Sequence, residues 1–595
     1  MKFLLTAINA KFIHSNPAIY SLRAGVGEKL QPYVELAEFT INESLESILE
    51  GIWKRQPKVI GFSCYIWNWK LIREILTELP KILPDTEIWL GGPEVTYDGP
   101  GLLREFPQVT GIMVGEGEVT FREVLDHYVR EAESTGQSEQ QPEPDSIEQQ
   151  AADRTGTVAG KSVAERFGQI SGLCLASGYT APRELTDLTT LPFLYEDMEP
   201  FTNRIIYYET SRGCPYRCSY CLSSIDKKVR LRDIDVVKRE LQFFLDQNVK
   251  QVKFIDRTFN CDHKHAMEIW EYIYKHDNGV TNFHFEISAD ILREEEIALL
   301  NRFRPGLAQL EIGVQSTNPQ TIKAIRRTMD FEKLKGIVEQ IHSFGNIHQH
   351  LDLIAGLPYE GYETFARSFD EIYALKPNQL QLGFLKVLKG SYMYEHATEY
   401  GLIYRSRPPY EVLKTNWLKF GEILRIRQVE EMLEVYYNSG QYATAIRLLE
   451  TQYASAFAMF AELGTFYEEH GYFGMGHSRM RRAEILLEFA KERRSGVLPV
   501  LGEGLVYDLY ERENLGSRPA WAADANEWKQ MTRQYGKNGK QSHIERFFYR
   551  FSGHRQDTAS LPERLEEPVY VRFDYTGRDP LDHQARHEYL EPSGE

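Results

Sequence analysis

The chain has 595 residues, with 69 basic and 86 acidic side chains and a formal net charge of −17 at pH 7. That balance argues against a protein that coats nucleic acid, and no apolar run approaches the ~20 residues that span a bilayer. Six cysteines over this length make no disulfide framework, so the expectation is a cytoplasmic chain of three or four domains with no membrane partner.

The opening MKFLLTAINAKFIHS reads as a first strand rather than a signal peptide, since Lys11 and His14 stand where a cleavage region would follow. Residues 1–130 alternate strand patterns (2–8, 33–39, 58–63, 87–91, 111–114) with helical ones such as 42–54 and 67–79. That alternation predicts a doubly wound parallel sheet of the α/β class. Ligands of such sheets sit beyond the carboxyl ends of the strands, here the turns 9–16, 63–68, 91–94 and 115–118. Residues 131–165 are expected to be a disordered insertion: the run from Glu131 to Lys161 has no aromatic residue and cannot bury enough apolar area to offset ordering. A connecting hairpin and linker fill 166–200.

A second alternating region, 201–395, places strands at 205–210, 251–256, 283–288, 309–314, 349–355 and 379–385, with helices between them. Six β/α units predict a partial (β/α)6 TIM-like barrel, its site at the strands' carboxyl ends. Glu209, Asp256, Ser288, Gln315 and Gly356 fall there. Residues 396–595 read as a mostly helical domain, with helices over 410–439, 442–470 and 478–491, then a short strand VYVRF and a polar tail. This domain is expected to close the barrel mouth. The basic and aromatic run 533–550 is read as a solvated amphipathic helix in preference to a patch for phosphate or RNA, as are His477, Arg479, Arg481 and Arg482.

Cys214, Cys218 and Cys221 lie in CPYRCSYC, directly after the first barrel strand. One short loop can wrap three corners of a four-iron cluster and leave one iron open. The competing reading, structural zinc, needs a fourth ligand, for which Cys261 and His263 are available. The segment CPYRCSYC, with Tyr220 before its last cysteine, resembles the signature of the radical S-adenosylmethionine superfamily. The later stretches FIDRTF, FEISAD, EIGVQS and DLIAGLP resemble its barrel motifs. The resemblance implies a [4Fe–4S] cluster on Cys214, Cys218 and Cys221, S-adenosylmethionine on the open iron, and Tyr220, Asp256, Ser288 and Gln315 as candidates for contacting nucleoside or substrate.

With that barrel, the strand-end segments GFSCY, LGGPE and VGEGE look like the cobalamin-binding domain of the superfamily's largest subgroup. Ser63, Gly91, Gly92, Gly115 and Glu116 are then expected along the cobalamin edge. The Asp-x-His-x-x-Gly pattern of methyl-carrier domains is absent, since Phe12 and Pro17 replace its Asp and Gly; His14 is therefore read as a turn residue. The whole layout resembles a bacterial family with an uncharacterised helical C-terminal domain. It implies a cobalamin-dependent radical enzyme that methylates an unactivated carbon or phosphorus of a small molecule or peptide, with a reducing partner such as flavodoxin or ferredoxin. Ring formation or rearrangement with the same cofactors is the alternative, and a non-catalytic cobalamin or redox sensor the second. Nucleic acid is not expected as a partner.

Overall fold

The computed structural model describes residues 2–134, 157–158, 161–225, 228–536, 541–551 and 560–590. Five parallel strands, β1 (Phe3–Asn9), β2 (Val34–Thr40), β3 (Val59–Ser63), β4 (Glu87–Gly91) and β5 (Val109–Met113), form the first sheet in the order β2-β1-β3-β4-β5. All seven residues of β1 are buried, as a strand covered by helices on both faces requires. The helices α1 (Pro17–Gly25), α2 (Leu45–Trp53), α3 (Trp69–Ile82), α4 (Gly99–Glu105) and α5 (Gly117–Ser134) alternate with the strands. In α3, Trp69, Ile72, Ile75, Leu76 and Leu79 recur every three or four positions and are all buried, the stripe that docks a helix on a sheet. Strand order reverses between β1 and β3, the place where doubly wound sheets hold ligands.

The hairpin β6 (Leu173–Leu175) and β7 (Gly178–Tyr179) extends this sheet beyond β5, antiparallel to it. The predicted disordered insertion is corrected at both ends. Glu131 to Ser134 complete α5, and Val163–Phe167 form a short helix with a capping box at Ser162 and Glu165. Arg166 then joins Glu87 and Glu131 in a buried ion-pair network. Residues 135–156 of that insertion lie outside the described residues.

Six parallel strands make the second sheet in chain order: β8 (Ile206–Tyr208), β9 (Gln251–Phe254), β10 (Asn282–Ile287), β11 (Ala308–Gln315), β12 (His348–Ala355) and β13 (Gln379–Phe384). This is the expected partial barrel. Its strands alternate. Phe283, Phe285 and Ile287, or Leu310, Ile312 and Val314, pack outward into the helical core. The intervening positions, Lys253, His284, Glu286, Glu311, His350 and Asp352 among them, face the lumen. A parallel strand buried on both faces would be continuously apolar, so this polar inner face marks a lumen built to hold something.

The C-terminal region is helical, with helices Phe420–Leu433, Ala443–Glu450, Ala456–Glu469, Arg479–Arg493 and Leu498–Arg512. The first begins ten residues later than predicted, behind the strand Val412–Lys414. The predicted 442–470 helix is broken where Ser455 caps a new one, its side chain accepting from the Ala458 amide. The largest correction is at 533–550. Ser542–Phe547 is a strand, paired antiparallel with Val569–Arg578, which also pairs with Ala585–Leu590 where a polar tail was expected. Arg546 pairs there with Glu527 and lies over the Trp528 ring. Arg479 and Arg481 are likewise held by Glu513 and by Glu484 and Glu488.

Candidate active site

The cysteine loop leaves β8 through Ser211–Arg212, which pair antiparallel with Arg230–Leu231. Gly213 has φ +100°, and a Cβ there would lie 2.4 Å from the Lys228 carbonyl oxygen, so only glycine makes this turn. Asp256, at the end of β9, anchors the loop: its carboxylate accepts from the Thr210 amide at 3.0 Å and the Thr210 hydroxyl at 2.6 Å. Burial drives its carboxyl up to about 6 against the Ser211 and Thr210 hydrogen bonds. Asp256 is thus placed to position the loop. Downstream, the buried Ser219 ties it to two other elements, its amide donating to Ile325 and its carbonyl accepting from Met393.

Cys214 and Cys218 are buried, and Cys221 is partly exposed toward a large cavity. Cys214 Sγ lies 3.6 Å from Thr258 Oγ1. Arg327, which sequence reasoning missed, reaches Cys218 Sγ through Nη1 at 3.8 Å and the Gly313 carbonyl through Nη2. Burial raises the Cys218 thiol, and the Arg327 charge opposes that rise. Among the described residues, the three sulfurs do not all lie within 4.8 Å of one another. Zinc would need a fourth ligand beside these three thiols. His263, offered as a zinc ligand, pairs with Glu296 at 3.0 Å. Burial and the nearby Cys214 raise the Cys261 thiol to about 11.

The cavity beside Cys221 holds about 760 Å³. Tyr220, Arg257, Gln315, Asp352 and Gln381 supply its barrel wall, and Tyr65, Trp67, Pro93 and Glu94 its N-terminal wall. Tyr410, Glu411, Arg427 and Glu430 close it from the C-terminal region. The Tyr410 hydroxyl donates to Glu94, joining two walls. Gln315 stands at φ +75°, and its buried Oε1 lacks a hydrogen-bond partner. Strained, unpaired polar groups in a cavity mark ligand contacts. Ser288 is turned instead to Asp290, its hydroxyl donating at 2.8 Å, and its amide donates to Asn260.

A second cavity of about 380 Å³ lies in the first domain, between the sheet and α1. Ser63, Gly91, Gly92, Gly115 and Glu116 line it together with Leu5, Gly61, Trp89 and Met113. This mainly apolar slot beside the β1/β3 reversal suits an apolar ligand group. Gly92, at φ +111°, leaves no room for a Cβ, which would meet the Cys64 carbonyl oxygen at 2.5 Å. Tyr65 lines both cavities and stacks on Trp67 at 4.3 Å. His14 turns away, its Nδ1 lying 2.6 Å from the Tyr207 hydroxyl.

The carboxylates of the GEGE turn serve the domain junction. Glu116 accepts from Arg230 at 3.1 Å and from the Thr186 amide at 2.7 Å, while Glu118 and Glu209 hold Arg212, two residues before Cys214. Burial alone would raise the Glu116 carboxyl, but Arg230, Thr186 and Arg212 bring it down to about 2. A depressed carboxyl stabilises the fold above its unfolded value near 4.5 and loses that contribution as the pH falls toward 2. Urea unfolding midpoints should therefore fall between pH 5 and pH 3, and Glu116→Gln should flatten that dependence; an unchanged slope would remove Glu116 from the clamp.

Three family models match the chain: a B12 binding domain over residues 4–125, the radical SAM superfamily over 208–372, and a protein of unknown function (DUF4080) over 398–561. The chain is 23% identical over 389 residues to an uncharacterized methyltransferase of Pyrococcus horikoshii, covering 64% of this chain and 76% of that protein. It is 24% identical over 340 residues to the anaerobic magnesium-protoporphyrin IX monomethyl ester cyclase of Rubrivivax gelatinosus, covering 55% of this chain and only 56% of that relative. Among solved structures, the cobalamin-dependent S-adenosylmethionine radical enzyme OxsB with aqua-cobalamin bound shares the fold at TM-score 0.52 and 14% identity, over 87% of this chain and 77% of that one. Among the described residues, no helix is long and apolar enough to cross a membrane.

Proposed function

We propose that this chain, an enzyme of the radical SAM family with a B12 binding domain, methylates an unactivated carbon or phosphorus of a small molecule or peptide held in the 760 Å³ cavity. The radical SAM domain implies a [4Fe–4S] cluster and S-adenosylmethionine, and the B12 binding domain implies cobalamin. The observation that carries the reading is the place of Tyr65, which lines both the apolar slot and the large cavity beside Cys221. A ligand whose tail fills the slot presents its other end to the same space as Cys221.

The residues present fit these groups. Cys214, Cys218 and Cys221 share one short loop that ends at the cavity, Gly92 leaves a cradle beside the slot, and Gln315 Oε1 is buried and unpaired at the cavity. Bound there, these groups supply electron transfer to S-adenosylmethionine and a transferable methyl group. The chain's own work is placement. Asp256 fixes the loop that carries the thiols, Arg327 sets positive charge against Cys218, and the Glu94–Tyr410 contact joins two walls of the cavity. We read Tyr220 and Gln315 as cofactor-facing, Asp256 and Ser288 as positioning residues, and Glu116 as a clamp.

The cyclase relative favours a second reading, ring formation with the same cofactors. Product analysis separates the two. Methyl transfer replenished by S-adenosylmethionine yields S-adenosylhomocysteine and 5′-deoxyadenosine in equal amounts. 5′-Deoxyadenosine without S-adenosylhomocysteine would replace methylation by cyclisation or rearrangement. Loss of both products would contradict the enzyme reading and favour a cofactor-sensing protein.

A further inference from the structure

Below the floor of the large cavity, the lumen concentrates groups that the reaction described above does not use. Glu311 on β11 stands directly beside His350 on β12 in the parallel register, and Asp352 follows two positions later on the same inner face. One donor atom from each of the three lies within 4.8 Å of the others. Across a metal ion with bonds of ~2.1 Å, donors stand at most about 4.2 Å apart, so a contraction of a few tenths of an ångström would close the group around one ion.

The second observation is the aim of the side chains. His350 is only 7% exposed, and its Nε2 lies 3.2 Å from Asp352 Oδ1. Yet neither atom has the geometry of a hydrogen bond to any partner. The same holds for His284 Nε2, 2.9 Å from Glu311 Oε2. Buried polar atoms in native folds are paired with few exceptions. Here they stand at ion-pair distance with hydrogen-bond geometry unmet, a placement that a shared cation satisfies. Lys253 and His284 both approach Glu311 through Oε2, the lysine at 3.1 Å. Outer partners that hold a ligating carboxylate in this way are usual around metals.

We propose that Glu311, His350 and Asp352 form a divalent-metal site beneath the cavity floor. One imidazole and two carboxylates, with no thiolate, suit Mn²⁺, Fe²⁺ or Zn²⁺. Asp352 also lines the large cavity, so the ion stands where an oxygen-bearing group of the substrate can complete its coordination. The site does not depend on the methylation reading, since binding of the ion needs neither S-adenosylmethionine nor cobalamin.

The test uses the full-length, cluster-reconstituted protein, stripped of loosely held metal and titrated anaerobically with Mn²⁺, with free Mn²⁺ followed by electron paramagnetic resonance. The expected result is one saturable site per chain. His350→Ala and Glu311→Gln should each weaken it at least tenfold while iron and sulfide contents stay at the unsubstituted level. The nearly isosteric Asp352→Asn guards against misfolding of those variants: Mn²⁺ should raise the thermal midpoint of the unsubstituted protein and leave that of Asp352→Asn unmoved. Absence of saturable binding by Mn²⁺ and by Zn²⁺ would overturn the proposal, as would binding of equal strength in all three variants.

Discussion

Replacing Cys218 with alanine abolishes cleavage of S-adenosylmethionine, a loss of ~10³-fold or more that corresponds to at least about 4 kcal/mol of barrier. Two thiols remain, but a cubane held at two corners loses both its geometry and its fixed open iron. The substitution spares the backbone. Ser219 still donates to Ile325, its carbonyl still accepts from Met393, and Asp256 still holds Thr210. Arg327 loses its sulfur partner and keeps Gly313. Corrinoid retention should be unchanged, because the slot that would hold the tail is lined chiefly by the first domain. Iron content, 5′-deoxyadenosine and corrinoid measured on one preparation decide the matter. Retained cleavage would sink the cysteine assignment.

Gly92→Ala has the opposite signature. At φ +111° any side chain is strained, and the new Cβ would sit 2.5 Å from the Cys64 carbonyl oxygen and 3.1 Å from the Cys64 nitrogen. The turn after β4 must move away from β3 and deform the slot that both help to form. The local strain is about 1–3 kcal/mol, and corrinoid retention should drop at least ~10-fold, equivalent to about 1.4 kcal/mol of binding. The cluster and its spectrum should persist. Gly336→Ala is the control: its Cβ meets nothing within 4 Å and it lies outside the slot, so corrinoid uptake should be nearly unaffected. Equal retention in both variants would discredit the slot as the tail site.

Much of this was legible in the chain because the signals are local. CPYRCSYC carries its chemistry within eight residues, and the parallel strands announce themselves by period and by the glycines at their ends. The polar inner face of the barrel went unread, although NFHFEI and QLEIGV alternate where strands buried on both faces would be apolar throughout. What else escaped depends on chain segments meeting in space. Arg327 reaches Cys218 across 109 positions, and the clamp between Glu116 and Arg230 across 114. No local pattern marks either. GEGE reads as a ligand edge and does line the slot; that its carboxylates also face Arg212 and Arg230 is visible only in the structure. The strand Ser542–Phe547 was taken for part of a helix because six residues are too few to separate a period of 2 from 3.6.

The account rests on two cofactors meeting at one cavity, and the most direct measurement is the corrinoid and iron content of a single preparation. The protein would be reconstituted anaerobically with iron, sulfide and hydroxocobalamin, then desalted. The structure predicts close to one corrinoid and one [4Fe–4S] cluster per chain. An intact cluster with no retained corrinoid would contradict it, reducing the N-terminal slot to an unused crevice and leaving only reactions that need the 5′-deoxyadenosyl radical alone.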